Sequence, residues 1–503
     1  MREHLPALLI VIPLVGAWLA LAISFLSHRL SRWTAVAALL ADLLAVLDLF
    51  PRLSAQGDWH YSLGGWAPPW GIELVVTPFS AFFAALLLVT ALFTSFYLGS
   101  HGLLAGLPKV RESLGEVLLL TLVPGLLGML WVRDGFTFYL FLQFSVVAAA
   151  AWMACMTRQT GPGVFYFLLW GSTGASLLLA GFLFLYASTG TLNFGDLLAQ
   201  LFIFKNYPIA LTAGALFTLG WTAIVLFPSP RAYRPLFGQT SPFLLGFLSS
   251  VFVRTGLFTL FLFFFLVLDV PGLSQPLGLT VVEYVLIYSL FLEFFVAARQ
   301  KDFLHSIAYL SVAQLGYVFA GFALGNKSAL TGALMELTTQ LLVVAGFFFI
   351  AGSLSSGGGS LPFSRMVGLA RSRPLTGLSL VIFAATIVGV PPTGGFFGKW
   401  YLVLGAFEKK DWVLLAGILL TVLFNFVYFF RLILLLYGHR SAAMARPAVT
   451  LFFKAPILAL AAGVLLLGIF HLEIIHHFIE PALPKAFQNL PVPNVPFLGK
   501  QVE

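Results

Sequence analysis

The chain has 503 residues, 60% hydrophobic and 9% charged, with a formal net charge of +8 and a mean hydropathy of +0.99. Such values exclude an ordinary soluble globule. The basic residues are spread over short loops and form no stripe, which excludes a nucleic-acid partner, and one cysteine, Cys155, excludes an internal disulfide or a cysteine metal cluster.

Apolar stretches long enough to cross about 30 Å of hydrocarbon recur at 5–26, 33–50, 74–98, 116–132, 135–155, 163–187, 208–228, 243–270, 277–298, 304–324, 328–352, 374–406, 411–438 and 450–474. They predict an all-α polytopic membrane protein of about fourteen spans. The first stretch is of full spanning length and lacks a clear small-residue cleavage site, so it reads as a membrane helix and not as a signal peptide. The second carries Asp42 and Asp48, and the loop 51–73 carries Trp59, Trp66 and Trp70, read as interface anchors. Pro228, Pro230 and Pro235 interrupt the chain after the seventh stretch; Glu293 lies on the ninth and Glu336 on the eleventh. Each of these carboxylates has two readings, an intramembrane group or an interface or partner-subunit residue. SSGGGS (355–360) reads as a flexible linker. The twelfth stretch is broken by Pro391, Pro392, Gly394 and Gly395, with Lys399 just beyond, and the last ends in HLEIIHHF, whose His471, His476 and His477 lack metal-ligand spacing and suit a wet membrane edge. In the tail 475–503, Pro481, Pro484, Pro491, Pro493 and Pro496 suggest an extended strap or a mobile segment.

Charge asymmetry sets the expected orientation. Arg29, Arg32, Lys109, Arg111, Arg158, Arg231, Arg234, Arg299, Lys301, Arg365, Arg371, Arg373, Arg440 and Arg446 belong to one set of loops, which is richer in cations than the set that, before the tail, holds Arg2, Arg52, Arg133, Lys205, Lys327, Lys409 and Lys410. The richer side is expected to be cytoplasmic, which puts both termini outside.

Lys399 is the strongest functional signal. A charge near mid-bilayer costs roughly 2.5–3.5 kcal/mol on insertion scales and marks an ion path or a partner; the competing reading is a lysine that snorkels to the interface. Breaks in the seventh and twelfth stretches are five spans apart. They suggest two inverted repeats, spans 4–8 in 116–270 and spans 9–13 in 271–440, flanked by 1–115 and by 441–503, the alternative being two unrelated proline kinks.

Five segments in order carry a family resemblance: TPFSAFF (77–83), DGFTFYLFLQF (134–144), NFGDLLAQ (193–200), KDFLHSIAYLSVAQLGY (301–317) and GVPPTGGFFGKW (389–400). Together they resemble the antiporter-like membrane subunits of respiratory complex I, membrane-bound hydrogenases and Mrp-type sodium/proton antiporters, over about 77–438. The resemblance implies a row of buried ionisable groups through mid-membrane. It places the family's fifth-span glutamate at Gln143, its broken-seventh-span lysine at Ala223, its eighth-span relay at Arg254 and its twelfth-span group at Lys399, with two further family histidines at Gln314 and Gln340. The joint loss at 143 and 223 is coherent, because removing both members of a buried ion pair costs far less than removing one. Gln143 cannot titrate, and the Arg254 guanidinium stays protonated where a desolvated lysine could release its proton. Lys399 is then the group at a family position able to change charge, and Glu336 is its candidate counter-charge.

These readings predict a membrane-arm subunit of a multisubunit, energy-converting complex that moves protons or Na+, with a degenerate first half-channel. Two others remain open: the membrane subunit of an inorganic-carbon uptake or Mrp-type complex, and a non-pumping structural subunit. The expected setting is the prokaryotic cytoplasmic membrane, with other membrane subunits as partners. No redox or hydrolytic site, cofactor or metal site is expected in this chain.

Overall fold

The computed structural model describes residues 2–98, 109–157, 162–204, 207–225, 240–267, 294–355, 360–438 and 451–488. Pro228, Pro230, Pro235, Glu293, most of the ninth apolar stretch and the prolines after 488 lie outside the described residues.

Helices α1 (Leu5–Ser24), α2 (His28–Leu47) and α3 (Phe50–Gln56) lead into an antiparallel hairpin, β1 (Trp59–Ser62) with β2 (Glu73–Val76). Then come α4 (Pro78–Leu98), α5 (Lys109–Trp131), α6 (Gly135–Met156), α7 (Pro162–Thr189), α8 (Phe194–Phe204) and α9 (Tyr207–Val225). The second part comprises α10 (Pro242–Phe265), α11 (Phe303–Leu324), α12 (Lys327–Leu354), α13 (Pro374–Val388), α14 (Gly394–Glu408), α15 (Trp412–Tyr437), α16 (Leu451–Ile469) and α17 (His471–Ala482). Among the described residues ten helices are long and apolar enough to cross a membrane, eleven if α16 and α17, bent by 80°, form one span. The shorter apolar helices α9 and α13 lie beside them.

Side chains specify where the helices start. Asp134 accepts from the Thr137 amide at 2.8 Å, Asn326 from Ala329 at 3.0 Å and Asp411 from Leu414 at 3.0 Å, satisfying amides that a helix leaves unpaired. Thr77 and Ser80 cap α4 reciprocally, the Thr77 amide donating to Ser80 Oγ at 2.9 Å and the Ser80 amide to Thr77 Oγ1 at 3.1 Å. Asp302 caps α11 through the Leu304 and His305 amides. Burial works to raise the Asp302 pKa, but the hydrogen bonds and charge of His305, with the backbone bond from Leu361, hold its carboxyl below the usual carboxylate range.

The loop 51–73 differs from the loop expected: it holds α3 and the hairpin, because the alternation in WHYS and ELVV pairs two short strands. Trp59 is buried, with the Arg52 guanidinium 3.4 Å from its ring centroid, whereas Trp66 and Trp70 are exposed.

Helix α12 is the axis of the molecule. Every residue of α12 except Ser353 is buried, whereas most of α15 is not, so polar side chains on α12 face other helices and those on the outer face of α15 do not. Leu423, Phe426, Phe430 and Leu434 accordingly lie exposed along α15, as a lipid-facing surface requires. Two interruptions lie next to this axis. Helix α10 contains the π-turn Leu248–Phe252, and α11 is interrupted at Gln314; such irregular backbone is tolerated at membrane depth only inside protein or beside a hydrated cavity.

Candidate site: a buried ion pair at the helix break

Helix α13 stops at Gly389, whose φ of 87° is a left-handed conformation that glycine adopts without steric cost. After Val390–Thr393, α14 restarts, and Lys399 sits on its second turn. The restart is close to its neighbours: a β-carbon on Gly394 would sit 2.6 Å from Thr339 Oγ1 and one on Gly398 2.7 Å from Glu336 Cγ. Small residues thus let α14 approach α12 closely enough for the lysine to reach the glutamate.

Lys399 Nζ donates to Glu336 Oε1 at 2.7 Å, and both side chains are closed off from solvent, at 6% and 1% exposure. The lysine therefore does not snorkel. Its ammonium also lies 4.7 Å from the Tyr317 ring centroid, a cation–π geometry, and Asn425 Nδ2 donates to the Tyr317 hydroxyl at 3.4 Å. The other carboxylate oxygen, Glu336 Oε2, accepts from Gln340 Nε2 at 2.9 Å, and the same amide reaches the Gln314 carbonyl at 2.9 Å. That carbonyl belongs to the interruption of α11. The break in one helix and the charge on another are therefore joined through Gln340.

Many polar atoms around this pair have unfilled hydrogen-bonding capacity: Gln314 Nε2 and Oε1, Gln340 Oε1, Asn425 Oδ1 and Thr339 Oγ1 are all buried without a protein partner. Buried polar groups are nearly always satisfied by protein or water, so the arrangement suits a hydrated passage with a titratable pair along it.

Arg254 lies apart from the pair. It is 1% exposed, donates through Nη1 to the Ser249 carbonyl in the α10 π-turn and through Nη2 to the Ser311 carbonyl at 3.1 Å, and leaves Nε unpartnered. No described carboxylate pairs with it, so it is a fixed cation held by backbone. Gln143 is half-buried on α6; its Nε2 donates to Ser172 Oγ at 3.1 Å and its Oε1 has no partner. Ala223 is buried on α9. The structure thus brings together Lys399, Glu336, Gln340 and the backbone of Gln314, and leaves Gln143 and Ala223 outside that group.

The other sequence candidates separate as well. Asp42 is buried with both carboxylate oxygens unpartnered, while Asp48 caps the exposed end of α2. His471 corrects the reading of a wet edge: it is 2% exposed, its ring stacks on Phe397 at 3.4 Å between centroids, and it is buried because α17 folds back across the bundle. His476 and His477 are exposed, at 72% and 65%. Among the described residues no group of three or more His, Cys, Asp or Glu side chains could hold a metal. Sequence reasoning passed over Tyr317 and Asn425. Asn425 carried a usable signal, a lone amide in the apolar run TVLFNFVYFF.

Residues 133–425 match the family model described as NADH:quinone oxidoreductase/Mrp antiporter, transmembrane. The chain is 34% identical over 500 residues to NADH-quinone oxidoreductase subunit N of Desulforudis audaxviator, covering 96% of this chain and 99% of that one. It is 26% identical over 445 residues to a putative antiporter subunit of Staphylococcus haemolyticus, covering 87% of this chain and 86% of that one. In fold it is similar to a chain of the archaeal membrane-bound sulfane sulfur reductase, with a TM-score of 0.83 at 23% identity over 95% of this chain and 97% of that one. It is similar also to a chain of the Mrp complex of Dietzia sp., with a TM-score of 0.85 at 19% identity over 97% and 98%.

Proposed function

The chain belongs to the NADH:quinone oxidoreductase/Mrp antiporter family of membrane subunits, and from that premise we propose that it is a membrane-arm subunit of a multisubunit ion-translocating complex in a prokaryotic cytoplasmic membrane. It works beside other membrane subunits, with the cation-rich loops and neither terminus on the cytoplasmic side. Protons or Na+ move through its second half by way of Lys399 and Glu336.

One observation carries this reading: a lysine and a glutamate 2.7 Å apart, closed off from lipid and bulk solvent and surrounded by polar atoms whose hydrogen bonds the protein does not complete. A purely structural buried pair is weak evidence of stability, because desolvation offsets much of its attraction. A pair poised in hydratable surroundings suits a charge switch, the ammonium releasing its proton when the carboxylate is neutralised. The same reading divides the chain into two inverted repeats, 116–270 and 271–440, of which the first has lost its titratable pair at Gln143 and Ala223.

The test is ion translocation by the assembled complex in sealed vesicles. Lys399→Ala with normal assembly is expected to abolish the contribution of this subunit; unchanged translocation would leave only a scaffold. Arg254 favours that second, passive reading for the first half of the chain, since a permanently charged guanidinium with backbone partners can repel ions but cannot relay them.

A further inference from the structure

The contacts around the ion pair close into a ring. Lys399 Nζ donates to Glu336 Oε1 at 2.7 Å, Glu336 Oε2 accepts from Gln340 Nε2 at 2.9 Å, and the same nitrogen donates to the Gln314 carbonyl at 2.9 Å. That carbonyl also accepts from the Tyr317 amide at 3.2 Å, and the Tyr317 ring centroid lies 4.7 Å from the Lys399 ammonium. All of these residues are buried.

Within the ring, Gln340 is unevenly loaded. Its Nε2 hydrogens are both spent, one on each acceptor, while its Oε1 is buried without a partner. The end that faces two acceptors has to be the NH2, because an amide oxygen there would be repelled by both. This donor governs what Glu336 can do. When a carboxylate that accepts an N–H on one oxygen takes up a proton, the favoured acid carries its hydrogen on the other oxygen, since a carboxyl C=O is a better acceptor than a carboxyl O–H. With Gln340 on Oε2, the proton therefore belongs on Oε1, the oxygen that faces Lys399.

We propose that Gln340 is a positioning residue that decides which oxygen of Glu336 carries a proton, and so with which side of the pair that proton exchanges. The proposal rests on the reading of Lys399 and Glu336 as a translocating pair. With the amide as it stands, a proton leaving Lys399 Nζ goes to Oε1: the N–H bond breaks as the O–H bond forms, and ammonium and carboxylate become amine and acid. From Oε1 it can return only to the lysine. For the proton to sit on Oε2, Gln340 has to turn its amide so that Oε1 of the glutamine, the end now unpartnered, accepts the acid hydrogen. The turned amide sets its oxygen against the Gln314 carbonyl, which then keeps the Tyr317 amide alone, so the interruption of α11 has to yield. One amide thus separates the lysine side of the carboxyl from the α11 side, and its turn is felt at the helix break. The charged and titratable groups around Gln340 are Glu336 on its own helix, Lys399 from α14 and Tyr317 from α11, with the Arg254 guanidinium of α10 on the Ser311 carbonyl one turn before Gln314. Helix α13 carries none.

The experiment is difference infrared spectroscopy of the intact complex in membranes, stepped in pH, with proton flux measured on the same preparation in sealed vesicles. Protonated Glu336 is read as a carboxylic C=O stretch that disappears in the double variant Lys399→Met, Glu336→Gln. Gln340→Met keeps the length and bulk of the side chain but has no amide. It is expected to move that band to higher frequency, because the C=O loses its N–H donor, and to lower flux at least about tenfold, the scale of a positioned proton-transfer group. Gln340→His returns a ring N–H. It is expected to bring back the band position and to add a step to the flux profile between about pH 6 and pH 8, where imidazole titrates; it also carries the test should Gln340→Met fail to assemble. A Glu336 band that stays in place in Gln340→Met, or an unchanged pH profile in Gln340→His, overturns the proposal, as does a wild type in which no Glu336 band appears at any pH. Lys399→Ala measured in parallel separates the two readings: loss of flux there, with Gln340→Met behaving as wild type, means that the pair translocates and the amide does not direct it.

Discussion

Gly398 faces Glu336 so closely that a β-carbon on the glycine would sit 2.7 Å from the Glu336 γ-carbon and 3.0 Å from Oε1. The residue beside the lysine is therefore part of the geometry that brings the pair together. Gly398→Ala is expected to push the carboxylate aside or α14 away from α12, at about 1–3 kcal/mol for overpacking. Translocation should fall more than thermal stability, as read by vesicle flux against the unfolding midpoint of the purified complex. A fall in stability with unchanged flux would separate the pair from transport.

Lys399 and Glu336 should behave as a unit in stability. Removing one partner strands a buried charge, at about 3–5 kcal/mol, so Lys399→Met or Glu336→Gln alone should lower the unfolding midpoint sharply. The double variant should recover most of that loss, since neutral side chains of similar size leave no stranded charge. Additive losses in a double-mutant cycle would mean that the two side chains are energetically independent despite their 2.7 Å separation.

Gln143→Glu places a carboxylate where the present amide donates to Ser172 Oγ and its own oxygen has no partner. Without a cation opposite, the acid loses the donor and gains an unpaired charge, and the expected cost is about 1–3 kcal/mol. Normal yield and thermal stability of this variant would count against the view that positions 143 and 223 lost their charges together.

Asp302 anchors the start of the helix that carries Gln314 and Tyr317. Its folded-state pKa is depressed, so its contribution to stability is present above the ordinary carboxylate range and is lost as pH falls through and below it. Asp302→Ala should cost about 1 kcal/mol as a lost helix cap and make unfolding less sensitive to acid. Parallel unfolding midpoints of variant and wild type across that range would show that the carboxylate does not stabilise the helix.

The sequence carries the class of fold almost entirely, because hydropathy and span length act locally. Lys399 was legible for a related reason, as a single charge behind paired prolines and glycines in an apolar run. Glu336 could be suggested but not placed, since its depth depends on α11, α14 and α15 packing around α12. His471 was misplaced: the 80° bend that buries it arises where Gly468 fits against Pro392, a contact between segments about 75 residues apart with no local signature. The hairpin at 59–76 was hidden by its brevity, and Tyr317 by the many aromatic residues around it.

Arg254 ties together two interrupted helices, one nitrogen on the Ser249 carbonyl and another on that of Ser311. In mechanical terms it is a rivet. The bond to Ser249 lies within α10 and fixes the guanidinium to its own π-turn, so sliding α10 past α11 would tear the charge-assisted bond to Ser311.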